Sequence, residues 1–380
     1  CYYWLTMGKN LFVLTGKDLL KLSAMMLLAT IFFGLTGLVI MIILQWFTRQ
    51  SYAQDSVDKH GISKIGASRL GGLAVILCTV GLIGVGTYTG LVGDLRVPFE
   101  AQPFGWLAVL ACMALGLTED LYNDYLSPRF RLWVELIIFA LLISYRPALI
   151  PLDLGVWGLD ALMAAPVMGW LLTVIFCVGF INAVNMADGA NGLMPGILAI
   201  AFSLFFAETG SLVYAALMIS CGLFAIFNVI SGRIFLGDAG SYGLGAALVL
   251  SGLFLFSEGV FSAPFLAVLL AYPCIDFVSA IVRRRLAGRA IFLPDNDHLH
   301  NRIHFHFQKR FRSATLANSL TGGVIVASSA GIAMLGNFLN WLPVTSQLWA
   351  LVFILQCIAY VFIFYLTGLG RPISQHVVDV

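Results

Sequence analysis

An all-α, polytopic membrane fold is what this sequence predicts, on three observations. Hydrophobic residues fill 60% of the 380 positions and charged residues only 11%. Apolar runs of roughly 20 residues recur along nearly the whole chain, each long enough to cross ~30 Å of hydrocarbon. The acids, histidines and arginines gather in a few short segments between those runs. Composition of this kind overrides the two soluble domains that length alone allows. The chain therefore reads as one polytopic membrane domain over 1–380, with about eleven transmembrane helices.

Taken in order, the expected spans are 23–47, 71–92, 104–118, 132–150, 165–183, 191–208, 211–231, 241–257, 260–282, 318–338 and 345–368. A segment over 1–22 precedes them, and a long His- and Arg-rich loop is expected over 283–317. Lys and Arg set the orientation. One set of loops holds Arg49, Lys59, Lys64 and Arg69, then Arg129 and Arg131, then Arg233. Its last member holds Arg283, Arg284, Arg285, Arg289, Arg302, Lys309, Arg310 and Arg312. The opposite loops hold only Arg96 and Arg146, so the positive-inside rule puts the rich face in the cytoplasm. Lys9, Lys17 and Lys21 run against that assignment, which makes the first segment a surface one.

The net charge of +2 averages a basic face against a nearly neutral remainder, and no nucleic-acid partner is expected. Seven cysteines lie singly, mostly inside apolar spans, without a CxxC. They read as small hydrophobes rather than a disulfide framework or a metal site. No cleavable signal peptide is evident; the first span is long enough to persist as a helix.

Five polar segments carry the candidate chemistry. The first runs through Lys59 to Ser68-Arg69-Leu70-Gly71-Gly72. It is an ordinary basic loop, or a helix start whose N–H groups grip an anion beside Arg69. The second is Glu119-Asp120 at the end of the third span, where acids oppose the helix dipole. Such a pair holds a divalent cation or supplies a general base, unless it is only a solvated helix end. Ser127-Pro128 after it starts the next helix. The third is Asn182-Ala-Val-Asn185-Met-Ala-Asp188-Gly189-Ala-Asn191-Gly192-Leu193. Asn182 and Asn185 share a helix face, and amide and carboxylate oxygens suit Mg²⁺ or a nucleotide. The fourth, Gly237-Asp238-Ala-Gly240-Ser241, is a helix cap or a second metal carboxylate. The fifth runs from Asp295 to His306, with four of the six histidines in nine residues. It lacks HExxH and a neighbouring cysteine, so phosphate binding competes with zinc.

Together and in this order, these segments resemble the polyprenyl-phosphate N-acetylhexosamine-1-phosphate transferase family. The Asn-x-x-Asn-x-x-Asp-Gly-x-x-Gly-Leu and Gly-Asp-x-Gly-Ser steps carry the likeness, and the matched stretches reach from Lys59 to about His306. The resemblance implies transfer of a sugar 1-phosphate from a UDP-sugar to undecaprenyl phosphate, releasing UMP. It implies Mg²⁺ (with Mn²⁺ as a substitute), a bacterial inner-membrane location with the site facing the cytoplasm, and frequent dimerisation. It points to the start of O-antigen, capsule, lipopolysaccharide or other cell-wall glycan synthesis. By position it makes Asn185 and Asp238 metal ligands, and gives Glu119, Asp120 and Asp188 catalytic places. Lys59, Arg69, Asn182, His298, His300 and Arg302 would contact substrate. Two departures stand out. The acidic pair is Glu-Asp where many members have Asp-Asp, and Asn301 stands where several carry a further histidine. Ion-coupled transport, with Glu135 and Asp276 as acids nearest mid-span, and a catalytically retired relative are the competing readings.

Overall fold

The computed structural model describes residues 20–35 (except 22 and 33), 69–88, 103–122, 125–232, 234–288 and 297–368. Lys59 and the 1–19 segment lie outside the described residues. The described chain is helical throughout. Its helices are α1 (Ser23–Phe32), α2 (Gly71–Tyr88), α3 (Pro103–Leu121), α4 (Pro128–Tyr145) and α5 (Trp157–Ala164). Then come α6 (Pro166–Ala187), α7 (Leu193–Thr209), α8 (Leu212–Ser231), α9 (Gly237–Ser257) and α10 (Ala263–Leu269). The chain closes through α11 (Ala271–Leu286), α12 (Leu299–Arg310), α13 (Ala314–Ser328), α14 (Ala330–Phe338) and α15 (Trp349–Gly368).

Each of the eleven expected spans meets a helix. Among the described residues six helices are long and apolar enough to cross a membrane, and up to eight if bent pairs count as one. The two bent pairs were expected as continuous spans. α10 and α11 meet at 81°, and α13 and α14 at 49°. Pro273 stands in the first turn of α11, where its missing N–H costs nothing. Ser328 and Ser329 mark the other bend. Ser127 caps α4 as expected, accepting from the Phe130 N–H at 3.2 Å, with Pro128 at the first turn.

α9 is the axis of the bundle. It packs most extensively on α3, then on α6 and α2. Of its apolar window 89% is buried, against 11% for α15, which presents Leu351, Leu355 and Phe362 outward. Small residues make this close packing possible, as at helix interfaces in lipid generally. A Cβ on Gly72 of α2 would lie 2.1 Å from Gly240 Cα, and one on Gly116 of α3 2.2 Å from Asp238 O. Three backbones therefore converge at the start of α9.

The segment expected as one loop over 283–317 is a correction. Arg283–Arg285 belong to the last turn of α11, and His300, His304 and His306 lie in helix α12, with His298 the residue before it.

Candidate active site

The start of α9 is built by residues from other helices. Asp120, fully buried at the end of α3, accepts the N–H of Asp238 on Oδ1 (2.9 Å) and of Ala239 on Oδ2 (2.8 Å). Asp188, at the end of α6, is met by the N–H of Gly237. Two carboxylates thus satisfy the first three donors of α9 and face the positive end of its dipole. Gly237 has φ +74°, and a Cβ there would strike Arg69 O. Only glycine turns the chain into α9 at that point.

Asp238 projects from this turn. Its Oδ2 receives Arg131 at 3.2 Å and its Oδ1 receives Asn185 Nδ2 at 2.7 Å. Asn185 also donates to Ser241 Oγ at 3.3 Å. Asn182, one turn earlier, donates to Glu135 Oε2 at 2.6 Å and to Val178 O at 2.9 Å. Both asparagines therefore spend their N–H groups on the protein and keep the carbonyl oxygen as their remaining polar atom. Burial first, then the nearby Asp238 and Asp120, hold the Asp188 carboxyl well above the usual carboxylate range, against the Gly237 N–H.

The histidine helix closes the other side. His298 Nδ1 contacts Asp276 Oδ2 at 2.6 Å, and His300 Nδ1 contacts the Tyr272 hydroxyl at 2.8 Å. A Cβ on Gly189 would lie 2.2 Å from His300 Nε2, so that ring abuts the Asp188–Gly189 turn.

The structure thus gathers Asp120, Asp188, Asn185 and Asp238, flanked by Asn182 and His300. Arg69 stands close enough for its charge to act on Asp120. Other expected residues are placed elsewhere. The N–H groups of Gly71 and Gly72, expected to grip an anion, donate to Phe235 O (3.0 Å) and Leu236 O (2.7 Å). That expectation is corrected: these donors hold α2 against the entry to α9. Arg302 forks onto Asp297 at 2.8 and 2.7 Å, donates to Phe364 O at 2.6 Å, and stacks 3.6 Å over the Phe364 ring. Glu119 accepts the Leu126 N–H at 3.2 Å, turned toward the loop before α4.

Three participants escaped sequence reading. Arg131 looked like a topology charge, though its place four residues before Glu135 was a usable signal. Glu135 and Asp276 looked like mid-span acids for ion transport. Both are fully buried, and each is partnered by a segment already singled out, Asn182 for one and His298 for the other.

Arg131 and the Asn185 amide nitrogen face Asp238 here, while its carboxylate and the Asn185 carbonyl are oxygen donors of the kind a hard divalent cation takes. Among the described residues no three His, Cys, Asp or Glu side chains stand together as a ready metal cage. A cation there would take Asp238, the Asn185 carbonyl, water and substrate oxygens, which is how Mg²⁺ is commonly held.

Residues 103–256 match the sequence profile of "Glycosyl transferase family 4". A protein of Bacillus subtilis (strain 168), "Probable undecaprenyl-phosphate N-acetylglucosaminyl 1-phosphate transferase", is 30% identical over 277 residues, covering 69% of this chain and 72% of the relative. "Decaprenyl-phosphate N-acetylglucosaminephosphotransferase" of Mycobacterium tuberculosis (strain CDC 1551 / Oshkosh) is 28% identical over 62% of this chain and 65% of its own length. "Phospho-N-acetylmuramoyl-pentapeptide-transferase" of Levilactobacillus brevis is 26% identical over 65% of this chain and 77% of its own.

Proposed function

The chain belongs to glycosyl transferase family 4, and from that premise we propose that it transfers an N-acetylhexosamine 1-phosphate from a UDP-sugar to undecaprenyl phosphate. The carrying observation is the convergence of Asp120, Asp188, Asn185 and Asp238 at the start of α9, with His300 adjoining and His298 stacked on it. One substrate is water-soluble and the other a lipid with a charged head, so their phosphates meet at the membrane surface. The bias of Lys and Arg toward the loops on that side supports a cytoplasmic face, and a bacterial inner membrane is the location proposed with it. The names of the relatives favour a cell-envelope precursor and N-acetylglucosamine as the first sugar to test.

Phosphoryl transfer depends on positioning and on neutralising spreading negative charge. Asp238 and the Asn185 carbonyl would hold Mg²⁺, whose charge, when bound, offsets that of the diphosphate. Asp120 fixes Asp238 through the backbone of α9. Arg131, paired with Asp238, keeps a cation beside the incoming phosphates. A lipid phosphate oxygen attacks the sugar-bearing β-phosphorus. The bond from that phosphorus to the bridging oxygen breaks, and UMP leaves with the oxygen and the electron pair. A phosphate monoester is largely dianionic at neutral pH, since its second pKa is ~6, and needs little base help. Asp188 stands where it can receive a residual proton.

The test uses purified protein, Mg²⁺, undecaprenyl phosphate and a panel of UDP-sugars, following UMP and the lipid product by mass. UMP release with a lipid-diphosphate sugar, lost in Asp238→Ala, is the expected result. Substrate uptake into vesicles without UMP release would overturn it in favour of transport.

A further inference from the structure

We propose that Tyr272 and Asp276, four residues apart on α11, are positioning residues that lock the two histidines of α12 in opposite tautomers. A bound diphosphate then meets one permanent N–H donor, at His300, and one imidazole able to carry charge, at His298. The ligand rests on the function proposed above; the tautomers do not.

The hydrogen bonds fix the assignment. The buried Tyr272 hydroxyl accepts the His300 backbone N–H at 3.3 Å and lies 2.8 Å from His300 Nδ1. Its one proton has no other acceptor among the described residues. Buried donors are satisfied, so that proton goes to Nδ1, and Nδ1 carries the lone pair. The ring proton of His300 is therefore on Nε2, the nitrogen directed at the Asp188–Gly189 turn.

Asp276 imposes the reverse on His298. Its Oδ1 accepts the Leu299 N–H at 3.1 Å and the Tyr360 hydroxyl at 2.7 Å, and its Oδ2 faces His298 Nδ1 at 2.6 Å. A carboxylate accepting from every neighbour requires the proton of His298 on Nδ1. Its Nε2 is then the ring nitrogen with a lone pair, since the Nδ1 proton is held by the Asp276 carboxylate. The rings stack 5.4 Å apart with planes 3° from parallel. Two cations so close would repel, and His300 cannot become one without giving up its bond from Tyr272. The second charge is excluded by construction, and the two histidines, equivalent in sequence, take different duties.

The experiment is nitrogen NMR on the full chain in detergent, labelled with ring-¹⁵N histidine. Signals are assigned by their loss in His298→Gln and His300→Gln. His300 should show a bare Nδ1 and a protonated Nε2, unchanged between about pH 6 and 8, where a free imidazole titrates. Tyr272→Phe removes one oxygen and leaves the ring, and should let His300 exchange tautomers and titrate. Asp276→Asn should let His298 exchange tautomers. A protonated Nδ1 on His300 in the unaltered protein, or a Tyr272→Phe spectrum identical to it, overturns the assignment. UDP-GlcNAc should move the His298 resonances toward imidazolium. Tyr272→Phe should lower kcat/KM about tenfold, the low end of what outer-shell partners of a histidine contribute. Altered tautomers with unaltered kcat/KM would overturn the positioning role. If no UDP-sugar yields UMP while the spectra are as expected, the functional reading falls and the tautomer assignment stands.

Discussion

At Asp120 both carboxylate oxygens accept backbone N–H groups, so its contribution is to hold Asp238 in place. Asp120→Asn keeps the shape but turns one acceptor into a donor aimed at an N–H. The turn carrying Asp238 then shifts, and a misplacement near 1 Å costs on the order of 100-fold in rate. Expected is that loss in UMP release, with Mg²⁺ at high concentration failing to restore it; restoration would mean direct ligation by Asp120. His304 makes a different case. It is 3% exposed on α12, and among the described residues neither ring nitrogen makes a hydrogen bond of good geometry, the Ala317 backbone being the nearest polar group to act on it. Burial lowers its pKa, partly offset by the backbone at Ala317. The folded form then binds fewer protons than the unfolded one below the ordinary histidine value. Stability is full above about pH 6.5 and falls as pH drops through it. His304→Leu should flatten that acid limb in thermal unfolding; an unchanged limb would assign it to other groups. Sequence showed Asn185, Asp188 and Asp238 because their spacing survives in one dimension. Arg131, Glu135 and Asp276 were invisible because each matters only through a partner 47 to 107 residues away or 22 residues along another helix.

Elements were legible where hydropathy marks them, which is why each of the eleven apolar runs contains a helix among the described residues. α12 was hidden because its composition, rich in histidine and arginine, mimics a loop; it is held by packing on α13 and α15 and by bonds to Asp276, Tyr272 and Phe364 O. The two bends were hidden because hydropathy does not sense a broken hydrogen-bond ladder. Freed carbonyls inside a membrane domain need a donor. Gln356 of α15 supplies it, its Nε2 reaching Val268 O at 3.4 Å, Ser328 O at 3.3 Å and Ser329 O at 3.4 Å. One side chain thus serves both breaks. Gln356→Leu should cost about 1 kcal/mol of stability, a usual size for polar contacts between membrane helices, and so lower the melting midpoint of the detergent-solubilised protein. A midpoint equal to that of the unaltered protein would show that the bends are self-sufficient.

For the molecule as a whole, α15 is peripheral by burial yet central by connection. Tyr360 joins Asp276 beneath the histidines, and the end of α15 accepts Arg302 on Phe364 O and faces His306 on Thr367 O at 2.9 Å. Arg283 adds a bond to Asp297 O at 2.6 Å and lies 4.6 Å over the Phe364 ring. The last helix therefore clasps the histidine helix against the site across more than 60 residues of sequence. Two roles for Arg302 now give opposite expectations. If its fork binds substrate phosphate, freeing it from Asp297 should leave or improve the affinity for UDP-sugar. If it serves the clasp, Asp297→Asn and Arg302→Ala should each raise KM, and the double variant should be no worse than the worse single one. Residues acting through one shared bond are non-additive in this way. Arg302→Lys should fail to restore either, because an ammonium cannot match a two-pronged carboxylate contact while lying flat on an aromatic ring. The geometry favours the clasp, since the guanidinium is engaged on its edge and on its face at once. Additive losses in the double variant, with Asp297→Asn alone harmless, would return Arg302 to the substrate.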